Sequence, residues 1–201
     1  MAEPLMVSPE FDPLVEFYGM WNTELAEQYL PLPRVHAHKY ECLGGYLTMS
    51  PYEGAANAYG ESRLNRLMFD AVVAAGFVPY LTVNMRFAGD SWIQPDLAVL
   101  RESAGGAVWV PAERVVMPVE FVSPGSRRRD RIDKPGLCAR AGVPWYLRVE
   151  VEAARRAVYV RLDRLVAGEY VEYTVAHDGQ RFRITEPFVL DFDPAELLEP
   201  Q

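Results

Sequence analysis

Apolar residues recur at intervals of three and four between Ala58 and Gly76. Leu64, Leu67, Met68, Ala71, Val72 and Ala75 share one stripe, which predicts an amphipathic helix stopped by Gly76. Most of the remaining pattern is shorter and β-like. "FVPYLTVNMRF", "WIQPDLAVL" and "VVMPVEFV" are three β-rich runs, separated by a Gly-Asp turn and by a loop around Gly105-Gly106. Upstream, "YECLGGYLTM" reads as two β segments about Gly44-Gly45, a pair able to take the positive φ of a tight hairpin. A short helix is expected from Glu24 to Leu30, ahead of the stiff Pro31-Leu32-Pro33.

Downstream, Arg127 to Ala141 is helix-like but interrupted at Pro135-Gly136, and "PWYLRVEV" follows as a buried strand. The tail segments "AVYVRL", "EYVEYTV" and "RFRIT" predict an antiparallel meander, and Asp193-Pro194 supplies the cap and first-turn proline of a short last helix. The predicted class is therefore α/β: a mixed sheet flanked by helices, with extra antiparallel C-terminal strands. A single domain is expected over 1–201, with an arm and short helix in 1–33, a core in 34–152 and the meander and last helix in 153–201.

Charge narrows the partners. A net charge of -8 and a pI near 5.0 argue against bulk attraction to a polyanion, so any contact with nucleic acid has to be local. Cys42 and Cys138 form no disulfide framework, the N-terminal residues lack a basic leader pattern, and no apolar run approaches the roughly 20 residues that span a bilayer. A reducing cytoplasm is the expected compartment, with no membrane association.

Two acids sit among apolar residues: Asp96 in "IQPDLAVL" and Glu120 in "PVEFVSP". An ionised carboxylate buried alone is costly, and two in neighbouring strands repel each other unless a hard divalent cation lies between them. Mg2+ (or Mn2+) suits that arrangement, being small and oxygen-seeking. Taken singly, either acid also fits a solvent-facing strand end or a pairing with one of the eighteen arginines.

Lysine is scarce, with only Lys39 and Lys134, and Lys39 has no role legible in the sequence. If the segment is helical, Asp130 and Lys134 lie one turn apart on one face and can interact; a solvated surface pair has the same spacing. Arg127, Arg128, Arg129 and Arg131 crowd a predicted helix start, where the dipole disfavours each positive charge by about 0.3 to 1 kcal/mol. A polyanion compensates them, or nearby acids do.

Taken in order, "YECLGGYLTMSP", "IQPDLAVL" and "VEFVSPGSRRRDRIDKPGLCARAGVPWYLRVE" resemble the Uma-two family of restriction endonucleases, a branch of the PD-(D/E)xK nuclease superfamily. The similarity runs from about Leu30 to Leu162. It implies a restriction-endonuclease-like core in which Asp96 is the Pro-Asp acid and Glu120 the second acid of the motif. Val122 stands where the motif has its basic residue, and the resemblance transfers that role to Lys134, preceded by Asp130. It also implies an acid on the first core helix, for which Glu61 is the nearest residue.

The expected activity is hydrolysis of DNA phosphodiester bonds dependent on Mg2+ (or Mn2+). Asp96, Glu120 and a strand carbonyl near Phe121 would hold the metal, Lys134 would orient water, and Ser126, Arg127, Arg128, Arg129 and Arg131 would contact backbone phosphates. A homodimer is expected for a nuclease that cuts two strands. The alternative is a catalytically inactive nucleic-acid-binding or assembly protein of the same fold.

Overall fold

The computed structural model describes residues 11–33 and 35–200, so residues 1–10 of the expected N-terminal arm lie outside the described part. Two short helices open the chain, α1 (Pro13–Glu16) and α2 (Thr23–Tyr29). Each is capped by a side-chain oxygen at its start: Asp12 accepts from the Leu14 N–H and Asn22 from the Leu25 N–H. The amphipathic stripe forms α3 (Ala55–Ala74), which buries Leu64, Met68 and Val72.

The hairpin predicted around Gly44-Gly45 is β1 (Lys39–Leu43) and β2 (Tyr46–Ser50), and both glycines take positive φ. The next two β-rich runs each divide between two sheets, where the sequence suggested one strand apiece. "FVPYLTVNMRF" becomes β3 (Val78–Tyr80) and β4 (Asn84–Ala88), and "WIQPDLAVL" becomes β5 (Ser91–Ile93) and β6 (Leu97–Leu100). Asp96 is thus not inside a strand but at the joint where the chain leaves one sheet for the other.

That joint has a local cause. Pro95 has no N–H to give to a ladder, and the Gln94 amide is pinned on both sides, its Oε1 accepting from the Tyr40 N–H at 2.7 Å and its Nε2 donating to Asn84 at 2.6 Å.

After β7 (Trp109–Pro111), the fully buried β8 (Val115–Phe121) runs parallel to β9 (Trp145–Glu152), with Glu120 beside Arg148. β10 (Ala157–Val166) and β11 (Glu169–His177) extend this sheet as antiparallel neighbours, and β12 (Phe182–Ile184) pairs with β13 (Leu190–Phe192) separately. The larger sheet has the order β11-β10-β9-β8-β6-β3 and the smaller β2-β1-β5-β4-β7. The expected last helix is a single tight turn, Pro194–Leu197, with Asp193 and Glu196 capping each other's backbone.

The helix after β8 departs from expectation at its first turn. Residues Arg129–Asp133 are wound more widely, so that the Lys134 N–H reaches back five residues to the Arg129 carbonyl. In that winding the next donor would serve the Asp130 carbonyl, but residue 135 is proline and has none. The Tyr146 hydroxyl donates to that carbonyl at 3.1 Å instead. The chain then passes through Pro135 without a break into α4 (Lys134–Arg140), and Lys134 keeps right-handed helical angles.

One apolar core lies between the larger sheet and α3, built on Leu64, Met68, Val119, Phe121 and Leu147. A second joins the two sheets and α4 through Met85, Ile93, Ala98, Val115, Cys138 and Tyr146. A third gathers the N-terminal helices around Trp21 and Trp92. Among the described residues no helix is long and apolar enough to cross a membrane.

Candidate active site

β1 comes from the smaller sheet and β8 from the larger, and the joint at Asp96 brings them together. Alternation along β1 points Lys39 and Glu41 to one face. The Asp96 N–H donates to the Val119 carbonyl at 3.0 Å, which sets Asp96 beside Glu120 at the end of β8. Asp130 and Lys134 arrive from the wide turn and α4. These groups line a cavity of about 340 Å³ together with Ser50, Tyr52, Glu53, Ser123, Ser126 and Arg129.

Lys134 is enclosed. Its Nζ lies 2.9 Å from Glu41, 3.0 Å from Glu120 and 2.9 Å from Asp130, and its side chain is 4% exposed. Burial alone disfavours the ammonium, but Glu120, Glu41 and Asp130 together hold its pKa well above the usual lysine value. Burial drives the Glu120 carboxyl well above the usual carboxylate range. Lys134 opposes that rise, while Asp130, Asp96 and Glu41 add to it. Glu120 Oε1 is buried and has no hydrogen-bond partner among the described residues. Asp130 is raised as well, by burial, against the pull of Lys134.

Asp96 is held from two sides. Its Oδ2 accepts from the Phe121 N–H at 2.5 Å and its Oδ1 is paired with the Lys39 ammonium. Burial lowers the Lys39 pKa, but Asp96 and Glu120 outweigh it and the net direction is up. Against Asp96 lie Glu53 and, from α3, Glu61; carboxylate oxygens of the three lie within 4.8 Å of one another. Burial, then Asp96, then a hydrogen bond with Glu53 push Glu61 up to about 10, so it carries a proton at neutral pH.

A family model described as "Putative restriction endonuclease" matches residues 26–196 of the chain. The chain belongs to the Uma2 family. Among solved structures, it is similar to a "putative nuclease belonging to DUF820" from Anabaena variabilis, at 16% identity and a TM-score of 0.59. That match covers 85% of this chain and 95% of the other, and identity at this level speaks for the fold. No match was found among curated proteins.

In this Uma2 chain, Asp96, Glu120, Phe121, Asp130, Lys134, Ser126 and Arg129 all meet at one cavity. Glu61 reaches it through Asp96 and Glu53. Three arginines of the run do not join them. Arg131 is turned away and grips Glu150 through both ends of its guanidinium, Arg128 lies 3.7 Å from Asp133, and Arg127 is exposed. One winding cannot aim consecutive side chains at one point, so the run divides between faces.

Sequence reasoning missed Glu41, Glu53 and the placement of Lys39. The alternation that puts Lys39 and Glu41 on one face of β1 was readable. Which face would meet Asp96 was not, because that depends on how the two sheets pack.

Proposed function

We propose that this Uma2 protein is an endonuclease that hydrolyses DNA phosphodiester bonds with Mg2+ (or Mn2+). The observation that carries the reading is Glu120 Oε1, a buried carboxylate oxygen without a donor, lining a cavity next to Asp96. Six carboxylates, Glu41, Glu53, Glu61, Asp96, Glu120 and Asp130, gather there against Lys39, Lys134 and Arg129. Such an excess of hard oxygen donors fits a small divalent cation.

The cation would be held by Asp96, Glu120 and the Phe121 carbonyl, with Glu61 and Glu53 adjoining. When bound it supplies charge neutralisation at the phosphate and acidifies water. The chain's own residues do the rest. Lys134 fixes Glu120, Glu41 and Asp130 in place, and the Phe121 N–H fixes Asp96. Ser126 and Arg129, in the cavity lining, would offer donors to backbone phosphates, and the exposed Arg127 and Arg128 would extend that contact outside it. In the reaction a water oxygen bonds to phosphorus, one phosphate ester bond breaks, and the departing alcohol receives a proton, so one water is consumed per cut. Cutting both strands takes two such cavities, which a homodimer supplies.

The test is incubation of supercoiled and single-stranded DNA with the protein and either metal, beside Asp96→Ala. Cleavage by the native protein alone supports the reading; equal cleavage by both excludes this site.

A second reading, a nucleic-acid-binding or assembly protein of the same fold without catalysis, draws on a specific observation. Asp96 and Glu120 each already have an ammonium partner, Lys39 and Lys134. Titration calorimetry separates the two readings. DNA binding without uptake of millimolar Mg2+ or Mn2+ favours the second.

A further inference from the structure

We propose that Lys39, and not Lys134, is the ammonium that contacts the substrate phosphate, Lys134 being the internal counter-ion that holds the acids in place. The inference rests on the hydrolytic reading above for its catalytic part, and on geometry alone for its binding part.

An ammonium has three N–H groups and no acceptor. Around Lys134 three carboxylate oxygens lie within 3.0 Å, so every donor has an anionic neighbour. Swinging this side chain to a substrate would strand Glu41, Glu120 and Asp130, each at most 3% exposed, without their cation. Removing the partner of a buried charge is strongly destabilising, so Lys134 stays where it is.

Lys39 differs on each count. Among the described residues it has one carboxylate partner, Asp96, and its side chain is 12% exposed at the cavity. Its other N–H groups have no carboxylate partner among the described residues. Asp96 does not depend on Lys39 for its position, because its other oxygen is anchored to the Phe121 N–H.

Lys39 pairs with Ser50 of β2 and the neighbouring Tyr40 N–H donates to Gln94 Oε1, so the backbone at Lys39 is held while the four-carbon stem can reach. If Asp96 held a cation, Lys39 would no longer be needed as the partner of that carboxylate, and its ammonium would be free to turn towards the incoming phosphate. There it donates hydrogen bonds to a non-bridging oxygen and offsets the charge that develops on it. No proton leaves the lysine, and no bond to it forms.

The experiment compares native protein, Lys39→Met, Lys39→Arg and Lys134→Met in four measurements. These are thermal melting, Mn2+ affinity by calorimetry, binding of a duplex oligonucleotide with Ca2+ in place of Mg2+, and cleavage with Mg2+. Lys39→Met leaves Asp96 without its cation and is expected to melt below the native protein, though by less than Lys134→Met, and to bind Mn2+ at least as tightly. It should lose about tenfold or more in Ca2+-supported duplex affinity, the loss of a charged hydrogen bond. It should also lose about a hundredfold or more in kcat, as when a transition-state donor is removed. Lys134→Met is expected to melt far lower.

Native cleavage and duplex affinity in Lys39→Met would overturn the proposal. Should that variant fail to fold, Lys39→Arg decides: it retains a cation for Asp96, and native kcat in it overturns the assignment while a loss of tenfold or more supports it. If the native protein cuts nothing, the hydrolytic reading falls, but Lys39-dependent duplex binding in Ca2+ still supports the contact. Duplex binding that is absent, or indifferent to Lys39, overturns it.

Discussion

The Oδ2 of Asp96 accepts the main-chain N–H of Phe121 at 2.5 Å, so an acid at the joint between two sheets is clamped to the last residue of β8. Positioning and charge are separable there. Asp96→Ala removes the acceptor and leaves a buried N–H unsatisfied, which is expected to cost about 1 to 3 kcal/mol in urea unfolding. Asp96→Asn keeps an oxygen for Phe121 and should retain most of that stability, while Mn2+ affinity falls in both variants by calorimetry.

Glu61 gives the metal-free protein a pH dependence. Its pKa is about 10 when folded, against about 4.5 for the ordinary side chain, so the folded state binds the extra proton throughout that window. The sign follows from linkage: the contribution is full below pH 4.5 and is lost as pH rises towards 10. Melting in EDTA is expected to drop between pH 5 and pH 9, and Glu61→Gln should flatten part of that fall.

Gly60 lies in the middle of α3, where alanine would ordinarily favour the helix by about 1 kcal/mol. A Cβ there would stand 2.7 Å from the Phe121 ring, which is buried, so the ring or the helix has to shift. Overpacking of this kind costs about 1 to 3 kcal/mol. Gly60→Ala is therefore expected to lower the melting temperature, against its propensity, and to weaken Mn2+ binding by displacing the end of β8.

Tyr146→Phe removes the hydroxyl that serves the Asp130 carbonyl in the wide turn. The expected loss is about 1 to 2 kcal/mol. Because Asp130 is one of the three acids around Lys134, cleavage and stability should fall together, and activity measured well below the melting temperature should still be reduced.

How far the sequence carries depends on the range of the interaction. α3, the β1–β2 hairpin and the antiparallel β10–β11 pair are written in local periodicity and in paired glycines, and they fold as read, whereas "RFRIT", expected as the next strand of the meander, leaves that sheet to pair with β13. The division of "FVPYLTVNMRF" and "WIQPDLAVL" between two sheets is not local. Nothing at Pro95-Asp96 distinguishes a bend within one sheet from a passage between two until Gln94 meets Tyr40 and Asn84. The same limit applies at the cavity. Asp96, Glu120 and the Asp130–Lys134 pair were visible as residues out of character with their surroundings. Lys39 was visible only as one of two rare lysines, because the acid it meets lies 57 residues away. The passage through Pro135 was hidden because it needs a hydroxyl from Tyr146, beyond the end of α4.

The seam at Asp96 has one further effect. Since the ammonium and acid of β1 belong to one sheet and Glu120 to the other, neither half of the molecule owns a finished pocket. A chain whose two sheets have come apart loses the contact of Glu41 with the Lys134–Glu120 pair, so the pocket assembles only with the complete tertiary structure.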